Sequence, residues 1–391
     1  MAGLARLGFM NAVFKRPEPP RLLIVSASIG GGHVAAAQAL SEAATEEGLE
    51  SQHIDLLSYT APGFRRLYRQ TYFDLVRTAP DFVDWVGKRL DRRPQEQRTR
   101  QERVMARLSE LISRSLVRLV RASSPDIIVH THFLPPAIVR AKRFDIPEAV
   151  VVTDYAAHNL WLQTGIRRYF VATAEIAAHL QGVGVEGDRV RVSGIPISPR
   201  FRTLEAKADA RAALGLALER DVLLLMASGL EAGTFRSLLS WLQELKWPLT
   251  VFIICGRSSD LISVAERELL GYSGLINFLV LGFVEDIPRY MAAADLLVGK
   301  PGGLTTSEAL AASLPFGVVS PYPLQEEANA NFLLERGVGF RLEPLTIAPY
   351  KLGHFFKDTR KREEMQRAAR ALAHPAAAAD VIRSLLDEPL R

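Results

Sequence analysis

RLLIVSASIGGGHVAAAQAL, residues 21–40, is the segment from which the fold assignment starts. Its short apolar run, Leu22 to Val25, has the length and composition of a buried parallel strand. Three glycines, Gly30 to Gly32, permit a tight turn and a close approach of the backbone to a ligand. The alanine-rich stretch from Val34 to Leu40 then favours a helix. The segment therefore predicts an α/β unit whose helix N-terminus faces a ligand.

The glycine turn matches neither of two familiar phosphate-binding motifs. A P-loop has a Lys-Ser/Thr pair after its last glycine, where this chain has His33 and Val34. The dinucleotide fingerprint G-x-G-x-x-G does not fit Gly30 to His33 either. His33 stands in the first turn of the predicted helix, where free N–H groups and a partial positive charge attract phosphate. The sequence thus predicts an anion site beside an imidazole.

Size and composition favour a folded protein of two domains. The chain has 391 residues, of which 48% are hydrophobic and 23% charged. The single cysteine, Cys255, lies in an apolar run, which excludes a disulfide framework and favours a reducing cytoplasm. No apolar stretch reaches the roughly 18 residues that a membrane-spanning helix needs.

Short apolar runs recur in two series and predict two parallel sheets. The predicted strands are residues 22–25, 52–57, 126–130, 149–153, 169–173 and 190–196, then 222–227, 250–255, 276–281, 295–298 and 317–319. The Pro-rich stretch Gly194 to Pro199 separates the series. His33, His132 and Asp154 each follow a predicted strand, at the edge where α/β proteins bind ligands. His130 and His132 are nevertheless expected to be packing residues. The segment 350–390 is predicted to be helical and could cross back onto the first domain.

VGKPGGLTTSEAL, residues 298–310, predicts a second anion site. A strand end, two glycines and a helix start follow one another as in the first segment. Thr305 and Thr306 are expected to cap that helix, with Glu308 in its first turn. Lys300 either approaches a phosphate or is an ordinary solvated lysine. Without further signals, a capped helix after a glycine turn explains the same residues.

The net charge of +5 is unevenly distributed. The segment from Tyr59 to Ala122 holds fifteen Lys and Arg against seven Asp and Glu, interleaved with aromatic residues. Such a pattern suits an anionic membrane surface, and it equally suits a helix pair with its arginines in solvent. No recognised nucleic-acid motif accompanies the charge, so no nucleic-acid partner is expected.

Several motifs in this order resemble those of one enzyme family. They are SASIGGGHVAAAQAL, VVTDYAAHNLWLQTGIRRYFVAT, VSGIPISPRF, LGFVEDIPRYMAAADLLVGKPGGLTTSEALA and PLQEEANA. The chain resembles the processive diacylglycerol glycosyltransferases and plant-type monogalactosyldiacylglycerol synthases, over about Arg21 to Phe340. These are related to the N-acetylglucosaminyltransferase of peptidoglycan synthesis. The resemblance implies an α/β GT-B fold, in which two Rossmann-like parallel-sheet domains face a cleft. We expect a tail at 1–20, an acceptor domain at 21–197, a UDP-sugar domain at 198–345 and C-terminal helices at 346–391.

The resemblance also implies a donor site for a UDP-sugar. Phe283 and Val284 would meet the uracil through their backbone, and Glu308 would accept hydrogen bonds from the ribose. The other implied donor-site residues are Gly31, Gly32, Ser228, Gly229, Gly302, Gly303, Leu304, Thr305, Gln325, Glu326 and Asn329. The last three match family positions that face the sugar. Leu324 replaces a common glycine before them, which leaves UDP-glucose and UDP-galactose both open.

On the acceptor side the resemblance makes His33 the general base of an inverting transfer, with Asp154 as the alternative. His158 and Trp161 would line the acceptor cleft. Arg65, Arg66, Tyr68, Phe73 and Trp85 would dock the protein on the membrane. The chain has no Asp-x-Asp motif, so we expect neither a metal nor another cofactor.

The expected function is transfer of a hexose to diacylglycerol by a cytoplasmic protein, peripheral on the inner face of the cell membrane. Three alternatives stay open at this point. They are a UDP-GlcNAc transferase that uses a polyprenyl-linked acceptor, a non-catalytic UDP-sugar sensor, and a UDP-sugar epimerase, which has a similar two-domain shape.

Overall fold

The computed structural model describes residues 19–28, 31–60, 114–134, 136, 144–322 and 325–387. Within these ranges the chain forms two six-stranded sheets whose neighbouring strands are all parallel. Parallel strands are joined by crossovers that cover both sheet faces, which is why the strands are continuous apolar runs.

The first sheet has the order β2-β1-β3-β4-β5-β6. Its strands are β1 (Leu22–Ser26), β2 (Ser51–Asp55), β3 (Ile127–His130), β4 (Glu148–Val151), β5 (Arg168–Val171) and β6 (Val190–Val192). The described helices of this domain are α1 (Gly32–Glu46), α2 (Arg114–Ser123) and α3 (Ala174–Gly182). Leu23 and Val25 pack on one face of the sheet, and Leu22 and Ile24 on the other.

The second sheet has the order β12-β11-β10-β7-β8-β9. Its strands are β7 (Asp221–Met226), β8 (Leu249–Ile254), β9 (Ile276–Leu281), β10 (Leu296–Gly299), β11 (Phe316–Val318) and β12 (Gly339–Arg341). The accompanying helices are α4 (Lys207–Ala213), α5 (Ala232–Gln243), α6 (Ser259–Glu268), α7 (Ile287–Ala293), α8 (Gly303–Ala311) and α9 (Gln325–Glu335).

Three C-terminal helices follow, and the last one returns to the first domain. Helices α10 (Ala348–Lys357) and α11 (Thr359–Ala371) pack against the second sheet, whereas α12 (Ala377–Asp387) packs against α1. Val381, Ile382 and Leu385 bury their side chains there, and Arg168 Nη1 donates to Ser384 O at 3.0 Å. The expected crossing of the C-terminal helix is confirmed. The predicted domain limits stay predictions.

The predicted strands are all present; the strand at 276–281 has the predicted limits, and the others have shifted ends. The largest error is the strand predicted at 190–196, which ends at Val192 because Gly194 turns the chain at φ +80°. A Cβ atom on Gly194 would lie 2.3 Å from His374 Cβ, so the two connections between the domains touch here. Among the described residues, no helix is long and apolar enough to span a membrane.

Candidate active site

His33 lies at the beginning of α1 and is held by the ends of two neighbouring strands. Its Nδ1 atom is 3.0 Å from Thr131 O and 2.7 Å from Thr153 Oγ1. Thr131 Oγ1 also donates to the His33 carbonyl oxygen at 2.8 Å. Thr131 follows β3 and Thr153 follows β4, so the carboxyl edge of the first sheet fixes the imidazole.

These bonds determine the tautomer of His33. The Thr153 hydroxyl donates to Thr131 O at 3.4 Å, which leaves its oxygen free to accept. Nδ1 therefore carries the proton and donates to both oxygens, and Nε2 keeps its lone pair. Burial lowers the pKa of His33 to about 4, although the hydrogen bond to the Thr131 carbonyl opposes this shift. His33 is therefore a neutral imidazole at physiological pH, ready to accept a proton at Nε2.

A cluster of rings surrounds His33 on the side of the first domain. His132 meets the His33 ring edge-on, with centroids 4.5 Å apart, and stacks on Phe133 at 4.1 Å. The Trp161 ring centroid lies 6.4 Å from that of His33 and 6.0 Å from that of His158. Trp161 Nε1 and His158 Nδ1 are buried, and neither has a hydrogen-bond partner in the described part of the chain. Buried donors without partners are uncommon in proteins, and these two point to a ligand.

Helix α8 of the second domain begins directly opposite α1. A Cβ atom on Gly32 would lie 3.7 Å from Leu304 Cβ, and one on Gly303 would lie only 2.0 Å from the carbonyl oxygen of Thr153. Gly302 is the N-cap residue, and no side chain in the described part of the chain caps the helix. The expectation that Thr305 and Thr306 cap it is wrong, because the helix starts earlier, at Gly303. Its first-turn N–H groups are thus free of side-chain caps at the interface between the domains.

The same early start moves Glu308 out of the first turn, where the sequence had placed it. Glu308 is partly buried in the second turn, and burial raises its pKa to about 8. A carboxyl group with a raised pKa at a cleft is typical of a functional site.

Ser228 and Gly229 follow β7, and Gly229 has φ +90°.

Phe283 and Val284 follow β9, at the far side of the same sheet edge. Phe283 is 57% exposed, and the Arg257 guanidinium lies 4.3 Å from the centroid of its ring. Val284 is partly buried against the core of the second domain. The described contacts do not join Phe283 directly to the His33 cluster.

Asn329 and the segment after β4 join the two domains. The buried Asn329 side chain accepts a hydrogen bond from Tyr155 N at 2.8 Å and donates to Pro301 O at 2.9 Å and Asp154 Oδ1 at 3.4 Å. The Tyr155 ring stacks on Phe332 at 4.3 Å. Burial raises the pKa of Asp154 to about 6, which the hydrogen bond from Asn329 opposes. The Asn329 amide is thus engaged with protein groups at both ends.

Lys300 and the start of α9 form the remaining part of the site. Lys300 is 9% exposed, with Nζ 3.7 Å from Glu326 Oε2 and 2.9 Å from the Tyr322 ring centroid. Of the two interpretations of Lys300, the ordinary solvated lysine is wrong, and the approach to a phosphate stays a prediction. Gln325 Nε2 donates to His158 Nε2 at 3.2 Å, which links α9 to the ring cluster. Among the described residues, no group of three or more His, Cys, Asp or Glu side chains is suited to hold a metal ion.

Comparison with known families identifies the two halves of this arrangement. Residues 33–197 match the family described as monogalactosyldiacylglycerol (MGDG) synthase, and residues 234–383 match the glycosyltransferase family 28 C-terminal domain. The chain is a two-domain glycosyltransferase. This assignment confirms the resemblance found in the sequence motifs.

Curated relatives of this glycosyltransferase include two named processive diacylglycerol beta-glucosyltransferase. That of Bacillus cytotoxicus is 26% identical over 379 residues, covering 94% of each chain. That of Staphylococcus saprophyticus is 32% identical over 252 residues, covering 61% of this chain and 63% of the relative.

Solved structures confirm the GT-B fold. MurG of Acinetobacter baumannii matches with a TM-score of 0.62 and 18% identity, covering 95% of this chain and 100% of that chain. The Anabaena protein HepE in complex with UDP-glucose matches with a TM-score of 0.54 and 17% identity, covering 94% of this chain and 99% of that chain.

Most of the predicted site residues of the glycosyltransferase thus lie at or beside the domain interface. The predicted membrane contacts Arg65, Arg66, Tyr68, Phe73 and Trp85 lie outside the described residues. Sequence reasoning missed the residues that hold His33 and close the interface, namely Thr131, Thr153, Tyr155 and Ser307. His132, which the sequence predicts to be a packing residue, is buried and packs against the His33 ring. The available signal was the position of Thr131 and Thr153 directly after apolar strands.

Proposed function

We propose that this glycosyltransferase moves glucose from UDP-glucose to the free hydroxyl of diacylglycerol and forms a β-glucosyl-diacylglycerol. The proposal rests on one observation, which is the position of His33 relative to the N-terminus of α8 at the domain interface. The unprotonated Nε2 of His33 belongs to the ring cluster that adjoins the uncapped N-terminus of α8. A base for an acceptor hydroxyl and an anion site for a leaving group thus lie on the two sides of one cleft. The names of the curated relatives support glucose and diacylglycerol.

The N-terminus of α8 is the proposed diphosphate site. The first-turn N–H groups of Gly303, Leu304 and Thr305 have no intrahelical partners, and a phosphate oxygen can accept from them. The charge on the phosphates increases as UDP leaves, and oriented N–H groups stabilise it without reorganisation. Glu308, one turn further along, is the proposed acceptor for the ribose hydroxyls.

His33 is the proposed general base. The acceptor oxygen attacks the anomeric carbon, its proton moves to His33 Nε2, and the bond from that carbon to the UDP oxygen breaks. Attack from the face opposite UDP converts the α-linked donor into a β-glucoside. General base catalysis of this kind contributes about 10² to 10⁴ in rate. Thr131 and Thr153 keep the imidazole in the tautomer that can accept the proton.

The ring cluster is the proposed entrance for the lipid acceptor. Phe133 and Trp161 are its apolar rings. Trp161 Nε1 and His158 Nδ1, which have no partner among the described residues, are the proposed donors for the glycerol backbone. Docking on an anionic membrane at the inner face of the cell membrane is proposed from sequence. It rests on the basic, aromatic segment between Tyr59 and Ala122.

The test is a donor-by-acceptor assay with the full-length protein. UDP-glucose, UDP-galactose and UDP-GlcNAc, each radiolabelled in the sugar, are incubated with anionic vesicles that contain diacylglycerol or a polyprenyl-diphosphate acceptor. We expect labelled β-glucosyl-diacylglycerol from UDP-glucose and little product from the other combinations. His33→Ala should lose most turnover while it retains UDP affinity.

Other outcomes contradict the proposal in distinct ways. Galactolipid from UDP-galactose would refute the sugar assignment, and a polyprenyl product would refute the acceptor. UDP binding without any lipid product would identify a sensor. Conversion of UDP-GlcNAc to its epimer without an acceptor would identify an epimerase.

A further inference from the structure

Lys300 is a buried cation whose charge is directed toward α9. It directly precedes the Pro301 and Gly302 that lead into α8, yet its ammonium group contacts Glu326 and the face of the Tyr322 ring. Only 8% of the Lys300 side chain is exposed. An ammonium group in such a place requires a counter-charge, because desolvation of an unpaired charge is costly. The carboxylate of Glu326 and the Tyr322 ring supply the compensation.

Described residues hold Glu326 at one carboxylate oxygen, and the other oxygen has no partner among them. Its Oε2 atom accepts the Tyr322 N–H at 2.6 Å and faces Lys300 Nζ at 3.7 Å. No donor among the described residues reaches Oε1. Glu326 is 19% exposed and lies in the first turn of α9, where the helix dipole favours a carboxylate. One carboxylate oxygen is therefore fixed by the protein, and the other can accept a hydrogen bond from a ligand.

We propose that Lys300 is a positioning residue that keeps Glu326 ionised and oriented, so that Glu326 Oε1 accepts a hydroxyl group of the donor hexose. This inference rests on the proposed function, because it assigns the hexose of a UDP-sugar to α9. A lysine in a glycine-rich motif could recognise either the sugar or the diphosphate. In this assignment Lys300 recognises the sugar through Glu326, and the N–H groups of α8 recognise the diphosphate.

Several charged groups influence this pair. Burial raises the pKa of Glu326, and Lys300 opposes that shift. Burial lowers the pKa of Lys300, and Glu326, Glu231 and Glu343 oppose that shift. Asp154 faces the pair from the first domain, and the charge of Glu326 raises its pKa. Without Lys300 the pKa of Glu326 rises further. A protonated Glu326 then forms at a pH where the pair in the native protein is still ionised.

The experiment compares the binding of UDP-glucose with that of UDP by calorimetry between pH 6.5 and 9. At pH 6.5, Lys300→Met should weaken UDP-glucose binding roughly 10- to 100-fold, the range for a hydrogen bond to a charged group. UDP binding should stay within about twofold, and the loss for UDP-glucose should shrink toward pH 9. Lys300→Arg should retain most affinity, and Lys246→Met, at an exposed position of the same domain, is the matched control.

Two results would overturn the inference. An equal loss of UDP and UDP-glucose affinity would mean that Lys300 binds the diphosphate. A loss of the same size at every pH would mean that ionisation of Glu326 is not what Lys300 controls. If Lys300→Met does not fold, Glu326→Gln provides the second measurement. It should lose UDP-glucose affinity without loss of UDP affinity, and a Glu326→Gln protein with normal UDP-glucose affinity also refutes the inference.

A cycle with the double variant Lys300→Met/Glu326→Gln tests whether the two residues act together. The double variant should bind UDP-glucose no more weakly than Glu326→Gln alone, whereas additive losses contradict the inference. Failure of the proposed function is recognised separately, since it appears as normal UDP-glucose binding without lipid product in the unmodified protein.

Discussion

The pH dependence of turnover distinguishes His33 from Asp154 as the general base. Both side chains lie near the domain interface, but burial shifts their pKa values in opposite directions. It lowers the pKa of the His33 imidazole to about 4 and raises the pKa of the Asp154 carboxyl to about 6. A base must be unprotonated to act, so turnover falls as the pH drops through its pKa.

The two pKa values predict different losses between pH 7 and pH 5. A base with a pKa of about 4 is still about 90% unprotonated at pH 5, so turnover on His33 should fall by only about a tenth. A base with a pKa of about 6 passes from about 90% to about 9% ionised over the same range, so turnover on Asp154 should fall about tenfold. Donor and acceptor would bury both groups further, which separates the two pKa values more.

The assay measures kcat at saturating UDP-glucose and diacylglycerol in anionic vesicles, from pH 4.5 to 8.5. Saturation with donor removes the contribution of Glu308, whose proposed role is in donor binding. His33→Ala should lower kcat by about 10² to 10⁴ at pH 7, and Asp154→Asn should leave the position of the acidic limb unchanged. A tenfold fall near pH 6 that disappears in Asp154→Asn would refute the assignment of His33 as the base.

Three further predictions concern the donor site and the connections between the domains. UDP affinity, measured by calorimetry, should rise as the pH approaches about 8, because Glu308 ionises there. The Glu308→Gln variant should bind UDP weakly at every pH and show no such rise. Gly303→Ala should lower turnover at least tenfold and affect UDP affinity less. The added Cβ would lie 2.0 Å from the Thr153 carbonyl oxygen and would force the domains apart, so unchanged kinetics would contradict this reason. Gly194→Ala should destabilise the protein by about 1 kcal/mol or more, seen as a lower Tm, because φ is +80° and His374 occupies the space; an unchanged Tm would show that the linker relaxes freely.

The fold was predictable because apolar runs mark buried parallel strands. The strand β12 escaped prediction because Gly339, Phe340 and Arg341 form no apolar run, and all three are partly exposed. His33 and the start of α8 were predictable because glycine turns before helices are local patterns. The exact start of α8 was not, since Thr305 and Thr306 resemble caps although Gly302 takes that position.

The contacts between the domains could not be predicted from local patterns. Tyr155 and Ser307 are 152 residues apart, yet their hydroxyl oxygens lie 2.9 Å apart. The stretch Lys300-Pro301-Gly302 looks like an exposed turn, and only the fold reveals that α9 covers it. Residue types report periodicity and turn chemistry, whereas pairings across a cleft depend on how two complete domains meet.

The segment after β4 connects the orientation of the base with the closure of the cleft. Thr153 Oγ1 lies 2.7 Å from His33 Nδ1, and the carbonyl oxygen of the same residue lies against Gly303, the first residue of α8. Two residues further, Tyr155 donates its O–H to Ser307 Oγ, because the Ser307 hydroxyl itself donates to Gly303 O at 2.9 Å. One short segment thus fixes the tautomer of the imidazole and contacts the helix proposed to bind the diphosphate. If the domains separate, His33 keeps its contacts with Thr131 and Thr153 but no longer faces α8. Because Thr131 and Thr153 hold His33 within the first domain, opening of the cleft should affect the approach of the donor and leave the tautomer of His33 unchanged.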